Sequence, residues 1–364
     1  MDYQLISPIN GEPLRPAGEQ FLTDGERLWP IVDGIPFLRP DEELRKKVVT
    51  DLHGWGERAA LCRLLANQDR FSPTEPPEKA AIERVLDAED MSLREAMQLL
   101  NYGPVGDYFA YRWCSPTFTG GLNMLERTPA HHTVVEIACG IGHFLRALEG
   151  AGRETVGVDI VFSKLWLAKK FLGVKGDLIC GDIEAGQLID TARPTTVFCH
   201  DAFYFFEDKQ AALTHMRAIA AGGAVAVGHV HTKRSQHEAG FALDKASYDA
   251  LTDDFVRDDN DYITAWYGAH RPPGHGASVA VGWIEGEVAR RPIDWVQPRM
   301  RLRQNPLVDA REVRWPSEGW AEEYREDSAC LNGHSLPSLL ETPAPADRYE
   351  QFRQRRLLNL PPQW

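Results

Sequence analysis

The sequence predicts an α/β protein: a mainly parallel sheet covered by helices on both faces, preceded by a helical segment and a small β-rich module. Three observations carry this. Between residues 126 and 232, short apolar runs alternate with stretches whose apolar residues recur every three or four positions. The runs are continuously apolar, as strands buried on both faces require. Each run leads through a loop into a helical pattern, the order that builds parallel sheets.

The predicted strands cover 134–139, 155–158, 178–180, 196–199 and 224–230. Helices are expected to start at Phe144, at Ser163 with that serine as N-cap, and at Gln210. Residues 1–40 are dense in Pro and Gly and read as a small β-rich module. Residues 41–125 read as a helical lid or linker, with helices over 41–52, 55–66, 78–88 and 92–100. Asp41 and Ser92 are candidate N-caps, and Pro73, Pro76, Pro77, Gly103 and Pro104 break the run. Residues 233–335 should complete the sheet and bind substrate, with a helix over 245–254 and an antiparallel strand pair over 262–267 and 277–284. Arg299, Arg301 and Arg303 alternate with apolar residues and read as an exposed β-ribbon. Residues 336–364 are Pro-rich and read as a surface tail.

Composition narrows the function classes. The 364 residues carry a formal net charge of −13, which disfavours general binding to nucleic acid or anionic membrane. The six cysteines form no C-x-x-C pair, and three lie in predicted strands, so reduced thiols in a cytoplasmic setting are expected. The N-terminus has no basic region followed by an apolar run, so no secretory signal is expected. The longest apolar stretch, 218–230, is too short and too Gly-broken to span a bilayer.

The strongest motif is the run from Val134 to Phe144, VVEIACGIGHF. A buried strand enters a turn in which Gly140 and Gly142 let the backbone bend sharply and a ligand approach closely. The third glycine of a dinucleotide fingerprint is missing, because Leu145 stands there. The next strand ends at Asp159, where a carboxylate can accept hydrogen bonds from ribose hydroxyls. The third ends in Cys180-Gly181-Asp182-Ile183, and the fourth in His200-Asp201-Ala202-Phe203-Tyr204.

Taken together, these four strand ends resemble the motifs of class I S-adenosylmethionine-dependent methyltransferases, over about 105 residues. The resemblance implies a Rossmann-like class I methyltransferase sheet and S-adenosylmethionine as cofactor. It implies that Glu136, Ala138, Gly140 and Gly142 hold the methionine end, that Asp159 meets the ribose, and that Ile160 beside it belongs to the same cofactor site. Asp182 and Ile183 would then flank the adenine, with His200 beside the methionine moiety and Asp201, Phe203 and Tyr204 toward the substrate. The close of the N-terminal module, LWPIVDGIPFL (28–38), resembles that of small zinc-ribbon-like domains that activate RNA and protein methyltransferases. No cysteine stands near Ser7-Pro8-Ile9-Asn10, where a metal knuckle belongs, so the β-fold is expected without zinc.

Methyl transfer is an in-line displacement that needs an aligned nucleophile and often a base. Histidine suits that task near neutral pH. His200, His229 and His231 each fall at the end of a strand bordering the methyl position, and His200 ranks first as the base. With Asp201 they also make a weak candidate metal site of N and O ligands, and no metal is assigned. A small-molecule acceptor with an O- or N-nucleophile, of natural-product or sugar type, is the expected partner, and a homodimer is compatible with the sequence. The alternatives are an RNA or protein methyltransferase, a non-catalytic partner of the same fold, and an NAD-dependent oxidoreductase or epimerase. The last lacks its third glycine and a Tyr-x-x-x-Lys pair.

Overall fold

The structure, a computed structural model, describes residues 3–68, 70–72, 74–235, 237, 239–268, 279–309, 312–331 and 333–364. Eleven strands form one sheet. In chain order they are β1 (Arg15–Pro16), β2 (Phe21–Thr23), β3 (Leu28–Val32), β4 (Ile35–Leu38), β5 (Val134–Ile137), β6 (Thr155–Asp159), β7 (Asp177–Gly181), β8 (Thr196–His200), β9 (Ala224–His231), β10 (Arg257–Asp258) and β11 (Ala280–Glu285). Across the sheet they run β10-β11-β9-β8-β5-β6-β7-β4-β3-β2-β1. Pairing is parallel from β9 through to β4, and β11 closes against β9 antiparallel. The expected parallel core is therefore present, with apolar residues buried on both faces.

The N-terminal strands extend this sheet. β4 pairs in parallel with β7, with Phe37 opposite Cys180. β3 and β4 are joined by Asp33-Gly34, whose φ values of 48° and 70° are both positive, as a two-residue Asp-Gly hairpin requires. The turn that would carry a metal knuckle is tied by a carboxylate. Asp24 accepts from Ser7 Oγ (2.8 Å), from the backbone N–H groups of Glu26 (3.0 Å) and Arg27 (2.8 Å), and from Trp29 Nε1 (3.1 Å). Trp29 is fully buried, so its indole N–H needs that partner.

The helical segment follows the sequence closely. Helices span Glu42–Gly54, Glu57–Leu65, Lys79–Asp87 and Leu93–Leu99. Asp41 caps the first, and Ser92 with Glu95 forms a capping box on the fourth. Gly103 and Pro104, expected to break the run, instead open the helix Pro104–Tyr111 with proline in the first turn. The next helix, Pro116–Leu125, is buried on all sides.

Four expectations are corrected. Ser163 does not cap its helix; Val161 is the N-cap, and Ser163 Oγ meets Tyr102 Oη at 2.8 Å. The stretch 262–267 is not a strand but the end of the helix Asp259–Trp266, whose Tyr262, Ile263 and Trp266 are buried at helical spacing. Its intended partner survives as β11; residues 277 and 278 lie outside the described residues. The helix expected over 245–254 stops at Asp249. Of the arginine ribbon, only Arg303–Gln304 pairs, against Leu357–Leu358.

The Pro-rich end is no surface tail. Leu336, Leu339, Phe352, Leu358 and Leu360 are buried in the main core, and Trp364 Nε1 donates to Ala110 O at 2.7 Å. Glu126 anchors the preceding segment, accepting from Arg290 Nε (2.7 Å) and Trp295 Nε1 (3.0 Å). Among the described residues, no helix is long and apolar enough to cross a membrane.

The Asp24 knot generates a prediction. Burial opposes ionisation there, but the donors from Ser7, Arg27, Glu26 and Trp29 outweigh it and lower the carboxyl from 3.8 to about 2. Its stabilisation is present above the unfolded value and is lost as the pH falls through about 2. Asp24→Ala should cost roughly 1.5–3 kcal/mol in urea unfolding at pH 7. The gap from the parent protein should shrink between pH 4 and pH 2, and an equal gap at both ends would contradict the assignment.

Candidate active site

One cavity of about 1090 Å³ opens at the carboxyl ends of β5, β6, β7, β8 and β9. This is where open α/β sheets bind ligands. Its two halves are built differently.

The first half surrounds the glycine turn. Gly140 and Gly142 take φ values of 55° and 82°, and a Cβ on Gly140 would stand 3.3 Å from the Phe109 ring. Asp159 holds this turn: Oδ2 accepts from Gly140 N at 2.8 Å, and Oδ1 from Val161 N at 2.8 Å. Ala138, ahead of the turn, has φ 54°, a strained value for a residue with a Cβ. Glu136 is buried on the cavity wall, its Oε2 has no hydrogen-bond partner, and burial pushes its carboxyl well above the usual range. Ile160 stands 40% exposed at the rim. Asp182 accepts from Glu184 N at 3.0 Å, and Asp182 and Ile183 line the far wall.

These residues fit S-adenosylmethionine. Glu136 offers an orphaned acceptor for an ammonium group, Ile160 offers an apolar surface for a flat ring, and the Gly140 turn leaves room for close approach.

The second half is polar and centres on Asp201. Its carboxylate accepts from Tyr108 Oη (2.5 Å) and Tyr204 Oη (3.2 Å) and pairs with Arg112 Nη1 (3.2 Å). Burial disfavours its charge, but His229, Arg112 and His231 together hold the carboxyl well below the carboxylate range. Both Asp201 Oδ1–His229 Nε2 and Asp201 Oδ1–His231 Nε2 measure 3.9 Å. His229 Nδ1 lies 2.8 Å from Asp259 Oδ2, and His231 Nδ1 lies 2.9 Å from Ser235 Oγ. Burial alone would discharge His229, yet Asp201 and Asp259 raise it to about 10, while burial and the neighbouring His229 lower His231 to about 3. The helix Glu318–Ser328 crosses the mouth and turns Gly319, Glu322, Glu323, Glu326 and Asp327 toward the cavity, a three- and four-residue spacing that defines one helix face.

The structure sorts the residues singled out in the sequence. Glu136, Ala138, Gly140, Asp159, Ile160, Asp182, Ile183, His200, Asp201, Tyr204, His229 and His231 all line the cavity, and Gly142 shapes the turn. Asp159 spends one acceptor oxygen on the glycine turn and the other on the Val161 N–H that follows its own strand. Phe203 does not face a substrate: it is fully buried against Phe206 and Trp283 on the other side of the chain. His200 is badly placed for a base. Its Nδ1 is held by Arg112 Nη2 at 2.9 Å, its Nε2 is buried without a partner, and its ring is packed on Phe144 and Phe198. Tyr108, Arg112, His237, Asp259, Glu323 and Asp327 were not anticipated. Only a polar residue recurring on an otherwise apolar helix, as Tyr108 and Arg112 do, could have pointed to any of them.

Residues 135–227 match the family model described as a methyltransferase domain. No curated protein matches the chain. Among solved structures, it is similar to a SAM-dependent methyltransferase from Thermotoga maritima, at 16% identity and a TM-score of 0.36, covering 50% of this chain and 91% of that one. A TehB-like SAM-dependent methyltransferase from Corynebacterium glutamicum gives 16% and 0.36, covering 46% and 86%. Phosphoethanolamine N-methyltransferase 2 of Haemonchus contortus, in complex with S-adenosyl-L-methionine, gives 20% and 0.36, covering 53% and 49%. With its glycine turn, its strand-end acids and this family match, the chain carries a class I S-adenosylmethionine-dependent methyltransferase domain.

Proposed function

We propose that this enzyme methylates an oxygen or nitrogen of a small, cytoplasmic acceptor held in the polar half of the cavity. The observation that carries the reading is the continuity of that cavity. It runs from the Gly140 turn to His231 under the helix Glu318–Ser328, and its volume of about 1090 Å³ is large for one ligand. Single-ligand pockets run to roughly 300–1,000 Å³, so there is room for a cofactor and one small acceptor. Its six cysteines are all free, in keeping with a reducing compartment.

When bound, S-adenosylmethionine supplies a methyl group on a sulfonium sulfur that departs as a neutral thioether. The chain must aim a nucleophile at that carbon and take its proton. Tyr108, Tyr204 and Arg112 fix Asp201, and Ser235 fixes His231 so that its Nε2 faces the cavity. These two side chains and His229 are the acceptor-facing group, and His200 acts on the reaction by orienting Arg112.

Two outcomes are expected. In calorimetry with S-adenosylhomocysteine, Gly140→Val should abolish binding, because its side chain would meet Phe109 and fill the cradle. Asp159→Ala should weaken binding by roughly 1.5–3 kcal/mol, since the turn loses its clamp. Normal affinity in both variants would place the cofactor elsewhere. Incubation of a cell extract with methyl-labelled S-adenosylmethionine should put enzyme-dependent label in the small-molecule fraction, and His231→Ala should lower that rate by about 10²–10⁴ with S-adenosylhomocysteine affinity unchanged. Label confined to RNA or protein would overturn the acceptor class.

A further inference from the structure

We infer that Asp201, His229 and His231 form a binding site for one divalent transition-metal ion at the acceptor end of the cavity. The inference deepens the reading of this half as the acceptor site and rests on it. It also revises the sequence-based expectation of no metal.

The geometry is that of three converging donors. One oxygen of Asp201 and one nitrogen of each histidine all lie within 4.8 Å of one another. The two Asp201–histidine separations are 3.9 Å. Metal bonds to N and O donors of roughly 2.0–2.2 Å set neighbouring ligand atoms about 3.0–3.5 Å apart, so the three donors must draw together, by about half an ångström or more at each Asp201–histidine pair, for an ion to engage all of them. The donor types, two imidazoles and a carboxylate, suit zinc, manganese, iron, cobalt or nickel, and three protein ligands leave positions open toward the cavity.

The atoms turned away from this point are each occupied. His229 Nδ1 is held by Asp259, His231 Nδ1 by Ser235, and the far oxygen of Asp201 by Tyr108 and Arg112. Carboxylate support behind an imidazole fixes its tautomer and aims the free nitrogen, as metal sites require. An aspartate that also bonds the His229 backbone N–H at 3.1 Å locks the ring and the chain together.

The backbone is bent to make the cluster. Asp201 and His229 take φ values of 60° and 47°, in the left-handed region that side chains with a Cβ rarely occupy. The pairing of β9 with β11 slips between Val227 and Val230, a bulge that re-aims the strand end. His229 and His231 finish with ring centroids 5.0 Å apart. Strain at two of three donors marks a position held for function rather than for packing.

The charge balance favours a cation. Asp201, Asp259, Glu323 and Asp327 lie about this point, and the guanidinium paired with Asp201 is that of Arg112; Arg39, Arg70 and Lys164 line the same cavity without an ion pair to Asp201 among the described residues. An ion here would meet the acceptor's oxygen or nitrogen at an open coordination position, promote loss of its proton to solvent, and leave its lone pair to form the bond to the methyl carbon.

The test uses the full-length protein, stripped with chelator and titrated with Co²⁺ alone. Expected are one ion per chain by elemental analysis, visible d–d absorption bands, and displacement by Zn²⁺. His229→Ala, His231→Ala and Asp201→Asn should each weaken Co²⁺ binding at least about tenfold, while His53→Ala, on the exposed helix Glu42–Gly54, should not. S-adenosylhomocysteine calorimetry on the same samples reports folding and the cofactor half separately. Cobalt affinity weaker than about 1 mM, or binding unmoved by the three variants, would overturn the metal site. Intact S-adenosylhomocysteine binding in that event leaves the methyltransferase reading standing.

Discussion

The acceptor half depends on one buried ion pair. Arg112 and Asp201 have side chains only 4% and 8% exposed, and each is expensive to bury without the other. Each has one local and one distant partner: Thr117 and His200 on Arg112, Tyr204 and Tyr108 on Asp201. Removing either charge leaves the other buried without its counterpart. The pair thus ties the segment before the sheet to the ends of β8 and β9, and it sets where both cavity-facing histidines look.

The two halves of the cavity follow different physical logic. Around the glycine turn the chain uses backbone geometry: positive φ values, N–H groups pinned by Asp159, and one unpartnered carboxyl oxygen on Glu136. Around Asp201 it uses side chains held from behind: His229 by Asp259, His231 by Ser235, and Asp201 Oδ2 by Tyr108 and Arg112, with Tyr204 on Oδ1. A turn of the first kind serves any acceptor, whereas a cluster of the second kind commits to one chemistry. The acidic face of the helix Glu318–Ser328 belongs to the second kind.

What could be read in the sequence follows the same divide. The five parallel strands, the glycine turn and the acids at Asp159 and Asp182 are local features, written in runs of a few residues. They were legible because strand burial and turn chemistry leave continuous marks. Tyr108, Asp259 and Asp327 were not, since each is an ordinary polar residue until the fold brings it to Asp201. Phe203 and Tyr204 illustrate the limit: adjacent aromatics face opposite ways, and only the short helical turn Phe203–Phe205 decides which one lines the cavity. The closing helix Asp259–Trp266 was misread for a related reason. Its buried residues satisfy a strand pattern over the few positions visible, and its packing on Pro116–Leu125 settles the matter.

The place of β4 in the sheet has a consequence for how the chain comes off the ribosome. Phe37 pairs with Cys180, so the first strands made must wait for a partner synthesised roughly 140 residues later, several seconds or more at ordinary elongation rates. Until then their free edge faces solvent as a template for unwanted pairing. The short lengths of β1 and β2, two and three residues, and the proline in each of β1, β3 and β4 make that waiting edge a poor template. Further along, the bond from Trp364 to Ala110 joins residues 254 positions apart, so that partner too arrives long after the segment it docks on.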